Sequence, residues 1–151
     1  MMNFLKALLV IALYISNANA ETQKPVDITV YRSASCGCCG KWLEHLKANN
    51  FNVTDKVMED VLPIKQSHSI TENLASCHTA IVGDYVIEGH VPASDIMKLL
   101  KSKAKVLGLA VPGMVNGSPG MEMGEHKNAY DVVSFDKDQK TAVFSSYEES
   151  K

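Results

Sequence analysis

Apolar and polar positions alternate over residues 27–31, DITVY, and the polar Arg32-Ser33 follows, which predicts a β-branched strand ending in a turn. The period then changes. Cys39, Trp42, Leu43 and Leu46 fall at i, i+3, i+4 and i+7, the stripe of an amphipathic helix that stops near Asn49-Asn50. Phe51, Val53 and Val57 mark a second strand, separated from the first by a single helix, so the natural arrangement is a βαβ unit with parallel strands. Pro63 can open a short helix through His68, because a missing N–H is harmless in a first turn. Residues 79–88, TAIVGDYVIE, place two apolar runs around Gly83-Asp84, a hairpin signal. Pro92 then starts a helix whose Ile96, Leu99 and Leu100 would face the sheet.

The resulting order, β-α-β-(α)-β-β-α, is that of an α/β, thioredoxin-like domain. Beyond residue 105 the chain changes character. Residues 111–124 are rich in Gly, Pro and Met and predict an extended loop lying on the domain. Residues 130–135 and 141–147 flank the turn-forming Asp136-Lys137-Asp138-Gln139 and predict a terminal hairpin, an appendage of the same domain.

The first twenty residues have the form of a secretory signal peptide. Lys6 precedes an apolar run over 7–15, Ser16 and Asn17 turn polar, and Ala18-Asn19-Ala20 is a small-x-small cleavage site. The run is too short to span a bilayer, no second run of that kind follows, and residue 21 is Glu rather than a lipid-bearing Cys. Residues 21–151 are then one exported domain, expected in the periplasm. The chain has a net charge of -2, and losing Lys6 with the leader makes the remainder one unit more negative. Lys and Arg are nowhere dense enough to track phosphates, which excludes a nucleic-acid partner.

Export makes the cysteines informative. Residues 33–42, SASCGCCGKW, hold three of the four, Cys36, Cys38 and Cys39, and Cys77 is the fourth. In an oxidising compartment the default for four cysteines is two structural disulfides. Cys36 and Cys39 form a C-x-x-C pair at a predicted helix start, where free N–H groups and the helix dipole favour a thiolate for disulfide exchange or metal binding. Cys38 would compete with a redox pair, yet it is an asset to a metal site. Cys77 precedes the strand starting near Thr79, and in this topology the loop before that strand faces the first helix. A thioredoxin carries a cis-proline there. Here Ser76-Cys77-His78 stands in its place, which weakens the case for exchange with a peptide disulfide.

Four thiols suit soft ions: Cu(I), zinc or iron–sulfur centres. Zinc sites commonly pair two C-x-x-C knuckles, and this chain has one. Cu(I) accepts two or three thiolates and tolerates bridging sulfur, so adjacent Cys38 and Cys39 can serve different ions of one small cluster.

Other candidates have bland alternatives. His78 and His90 offer nitrogen to Cu(II) or a proton shuttle, although an isolated histidine is more often a hydrogen-bonded loop residue. Met114, Met121, Met123 and His126 lie in a loop that can deliver copper or cover the thiols; gap-filling is the alternative for the methionines. Trp42 is expected to pack behind the cysteines. Arg32 and Lys41 flank them, where such charges lower a thiol pKa, although solvated surface charge is the more common role, and His45 and His68 are expected to face solvent.

Three stretches, SASCGCCGKW, SCHTAIVGDYVIEGHVP and GLAVPGMVNGSPGME, resemble the exported copper-resistance proteins called CopG, over residues 26–147. The resemblance implies a thioredoxin-like fold in the bacterial periplasm, a multinuclear Cu(I) cluster on cysteines, and a role in copper oxidation-state chemistry. Carried onto this chain, Cys36, Cys38, Cys39 and Cys77 are the metal ligands, with copper ions and copper donor or acceptor proteins as partners. The alternative is a periplasmic thiol-disulfide oxidoreductase using Cys36 and Cys39.

Overall fold

The computed structural model describes residues 24–151; the signal peptide expected over 1–20 lies outside the described residues. The elements run β1 (Val26–Ser33), α1 (Gly37–Ala48), β2 (Phe51–Met58), α2 (Leu62–Ser67), β3 (His78–Val82), β4 (Tyr85–Glu88), α3 (Ala93–Ser102), β5 (Gly108–Ala110), β6 (Tyr130–Phe135) and β7 (Thr141–Tyr147). Through α3 this is the order on which the thioredoxin-like expectation rests. Strands form one mixed sheet, β2-β1-β3-β4-β5-β6-β7. β1 pairs with β2 in parallel, and β3 runs antiparallel to both β1 and β4.

The C-terminal hairpin is more than an appendage. β5, too short to show a period in sequence, pairs in parallel with β4 and antiparallel with β6, so the hairpin continues the central sheet. Gly108 is required there, because a Cβ would stand 1.8 Å from the Val86 carbonyl oxygen.

The two-residue period of the strands divides the buried residues between two faces. Ile28 and Val30 of β1, Ala80 and Val82 of β3, and Ile87 of β4 pack with Trp42, Leu43 and Leu46 of α1 and Ile96 and Leu99 of α3. Val86, Ala110 and Phe135 form a smaller cluster with Ile70 and Leu74. The same alternation sends His78 towards Trp42, with ring centroids 4.3 Å apart, and Thr79 towards Lys65 of α2. No described helix is long and apolar enough to cross a membrane.

Candidate metal centre

The cysteines of the first motif occupy the start of α1. Cys36 is its N-cap, and the first turn carries neither a side-chain cap nor an acidic residue, so its first N–H groups have no capping side chain. Trp42 sits immediately behind, fully buried, donating its indole N–H to the Val91 carbonyl at 2.9 Å. Cys39 points into this core, whereas Cys36 and Cys38 are half-buried.

Cys77 comes from the loop before β3 and meets the trio. Its Sγ lies 3.6 Å from Cys39 Sγ and 4.0 Å from Cys38 Sγ, and Cys36 and Cys38 sulfurs are 3.5 Å apart. All four sulfurs fall within 4.8 Å of one another. Cys36 and Cys39 are joined as a disulfide, leaving Cys38 and Cys77 as free thiols. The cause is local: three residues of helix start bring their Cα atoms to 5.5 Å, within bridging reach. The four sulfurs thus converge as one group, in a state where two of them are already spent on each other.

The sequence makes His78 and His90 candidate Cu(II) ligands or proton shuttles, with a hydrogen-bonded loop histidine as the alternative. Both are fully buried and both meet Cys77: His78 Nδ1 and His90 Nε2 each lie 3.2 Å from its sulfur. The rings stand edge to face at 4.9 Å. His90 Nδ1 donates to the Pro119 carbonyl at 2.8 Å, which fixes the tautomer and turns the Nε2 lone pair towards Cys77. His78 Nε2 is the buried side-chain atom without a hydrogen-bond partner among the described residues.

Burial, and then the neighbouring Cys38, push the Cys77 thiol up to about 11. A metal therefore has to displace its proton. Burial lowers the pKa of His78 well below the ordinary value, with the nearby His90 and Lys65 adding to it, and burial also lowers that of His90. Both imidazoles are held neutral.

A second network fixes the Cys77 loop. Glu88, fully buried at the end of β4, accepts from Lys65 Nζ at 2.5 Å and from the Ser76 backbone N–H at 2.6 Å through Oε1, and from Thr79 Oγ1 at 2.6 Å through Oε2. Ser76 Oγ donates to the Gly113 carbonyl, tying this loop to the C-terminal segment. The signal available in sequence was an acid closing the apolar run YVIE, and nothing local indicated that Lys65 would answer it.

The Gly/Pro/Met-rich loop lies on the domain, as its composition predicts, and it reaches the start of α1. Gly120, at φ +84°, comes so close that a Cβ would stand 2.7 Å from Trp42 N and 3.2 Å from the Cys38 carbonyl oxygen. Met121 is half-buried beside it. Met114 and Met123 are 60% and 64% exposed, which removes gap-filling as their role. His126 is on the surface, 3.6 Å from Glu149. Three further residues differ from expectation. Arg32 is engaged by Asp55 through two hydrogen bonds of 2.9 and 2.7 Å, rather than left as a solvated charge or aimed at the thiols. His45 does not simply face solvent: its Nε2 accepts the Ala93 N–H at 3.0 Å, capping α3 from a neighbouring helix. His68, expected in solvent, is half-buried, and Lys41 is exposed.

Fold and site together define a mixed α/β protein with a sulfur-rich group of side chains able to hold metal. Two solved structures described as copper resistance protein CopG, Form 2 and Form 1, align with it at 44% and 45% identity, each with a TM-score of 0.78. The alignments cover 82% and 83% of this chain and 99% of each of theirs. The chain belongs to the CopG copper-resistance protein family. A family profile described as a protein of unknown function, DUF411, matches residues 74–121, a span that includes Cys77, His78 and His90 but not the first motif. No curated protein matches the chain.

Proposed function

We propose that this is an exported copper-resistance protein that binds Cu(I) through Cys36, Cys38, Cys39 and Cys77. It does so once the Cys36–Cys39 disulfide is reduced, and it takes up more than one ion as a thiolate-bridged cluster. The carrying observation is the approach of Cys77, 38 residues from Cys39 in sequence, to within 3.6 Å of its sulfur. Thiolates about 2.3 Å from a shared soft ion stand no more than about 4.6 Å apart, and the sulfur separations of 3.5, 3.6 and 4.0 Å that link Cys36 to Cys38 and Cys77 to Cys39 and Cys38 fall inside that limit. Copper, rather than another soft ion, is supported by the names of the solved relatives. Reduction of the disulfide takes two electrons and two protons from a thiol reductant and yields the two missing ligands. The leader over 1–20 delivers the protein to the periplasm, where copper donors or acceptors exchange ions with it. Turnover between copper oxidation states, one electron per ion passed to or from an external redox partner, is part of this reading.

The test is an anaerobic Cu(I) titration of the fully reduced protein against a competing chelator. More than one ion per chain is expected, and Cys77→Ser should release most of it. Unchanged binding in that variant contradicts a shared site.

The disulfide itself favours a second reading, thiol-disulfide exchange by Cys36 and Cys39. It requires reduction of a protein disulfide that Cys36→Ser abolishes and Cys77→Ser leaves intact.

A further inference from the structure

The Cys36–Cys39 disulfide has to open before four thiols are available, and its surroundings decide how. Two free thiols lie next to it, Cys38 Sγ 3.5 Å from Cys36 Sγ and Cys77 Sγ 3.6 Å from Cys39 Sγ. Neither is placed to open it. Thiol–disulfide exchange runs with the attacking, attacked and leaving sulfurs in line, so a thiol at either distance would stand about 5.5 Å from the sulfur it expels. All four sulfurs lie within 4.8 Å of one another, and no free thiol occupies such a position. We infer that the disulfide is opened by an external dithiol that attacks at Cys36 alone, with Cys39 as the leaving sulfur. The inference rests on the proposed reading in one respect, that the reduced form is the one that takes up Cu(I).

Access selects the sulfur. Cys39 is fully buried, whereas Cys36 is half-buried at the N-cap, and Ala34, Ser35 and Gly37 around it are exposed and short. A Cβ on Gly37 would meet nothing within 4 Å, so that side of Cys36 is open. Chemistry selects the reductant. Its thiolate bonds to Cys36 Sγ as the Cys36–Cys39 bond breaks, and Cys39 takes the electron pair and then a proton. The adduct at Cys36 is short-lived. Cys39 can return and Cys38 starts 3.5 Å away, so internal thiols expel a monothiol before a second molecule arrives from solution. A dithiol carries its second thiolate with it. That thiolate bonds to the reductant's first sulfur, Cys36 leaves and is protonated, and two electrons and two protons have passed from the dithiol to the protein.

The test uses the full chain with its disulfide intact, verified by peptide mapping. Free thiols are counted over time with dithiothreitol, with a thioredoxin as protein dithiol, and with reduced glutathione at equal thiol concentration. Both dithiols should raise the count from two to four, and glutathione should be slower by about tenfold or more. Gly37→Phe covers the open side and should slow the thioredoxin about tenfold while the melting temperature stays near that of wild type. The attacked sulfur is read separately. Cys38→Ser with Cys39→Ser leaves Cys36 alone in the motif, and Cys36→Ser with Cys38→Ser leaves Cys39 alone. By microscopic reversibility, oxidation by glutathione disulfide passes through the same adduct, so Cys36 should react about tenfold or more faster than Cys39. Equal rates for those two thiols, equal rates for glutathione and the dithiols, or indifference of the thioredoxin to Gly37→Phe overturns the inference. So does pairing of Cys38 or Cys77 with Cys36 or Cys39 in untreated protein. Failure of the reduced protein to bind Cu(I) is a different result: it overturns the four-thiolate reading and leaves entry through Cys36 standing.

Discussion

The two halves of the metal centre are built in opposite ways. The α1 side is made of small residues at an uncapped helix start, and its sulfurs can be joined or freed without disturbing a hydrogen bond of the core. On the β3–β4 side, His78, Thr79, Glu88 and His90 are all fully buried, and every one of them is anchored by strand pairing, a buried charge or a backbone carbonyl. Cys77 stands between these halves. One side is held by buried hydrogen bonds and strand pairing, while the other carries the Cys36–Cys39 disulfide.

The largest disturbance of this division should come from the anchored half. Glu88→Gln leaves Lys65 buried without its counter-charge, and breaking such a pair from one side costs about 3–5 kcal/mol. Urea denaturation should read that loss, while Lys65→Met with Glu88→Leu should recover a substantial part of it. Equal loss in single and double variants would mean that the acid matters only through Ser76 and Thr79.

Gly120→Ala presses a methyl group against the backbone of α1 and forces a side-chain-bearing residue into left-handed backbone. A loss of about 1–3 kcal/mol is expected, together with faster amide exchange in the loop over residues 111–124. A wild-type melting temperature would show that the loop does not press on the helix start.

Acid should weaken the fold through its buried histidines, on both sides of the site. His45, His78 and His90 all have pKa values lowered chiefly by burial, so the unfolded chain binds more protons than the folded one. Their contribution is complete above about pH 6.5, the unfolded value, and is lost as pH falls below it. Metal-free protein should therefore melt lower at pH 5.5 than at pH 7.5, and His45→Gln should make the difference smaller. The smallest effect belongs to the exposed methionines: Met114→Ala with Met123→Ala should change stability by no more than about 0.5 kcal/mol.

Much of this architecture was legible in local pattern. Strand alternation and the Cys39-Trp42-Leu43-Leu46 stripe located β1 and α1, and Gly83-Asp84 located the β3–β4 hairpin, because each signal is carried by residues close in sequence. β5 escaped because three residues carry no measurable period, and with it went the continuity of the sheet into the C-terminal hairpin. The convergence of Cys77 on the first motif was legible from topology alone. The roles of His90, Lys65 and Glu88 were not, since each depends on a partner more than ten residues away that no local pattern names, and His78, although adjacent to Cys77, is buried against the distant Trp42. His45 shows the same limit: it flanks the apolar stripe of α1, and only the approach of α3 gives its ring an N–H to accept.

The central claim is that four sulfurs from two distant segments share copper. X-ray absorption at the copper edge, on reduced protein loaded anaerobically with Cu(I), tests it most directly. A first shell of sulfur alone with copper–copper scattering beyond it is expected. Isolated copper with no metal neighbour, or a first shell dominated by nitrogen or oxygen, would contradict it.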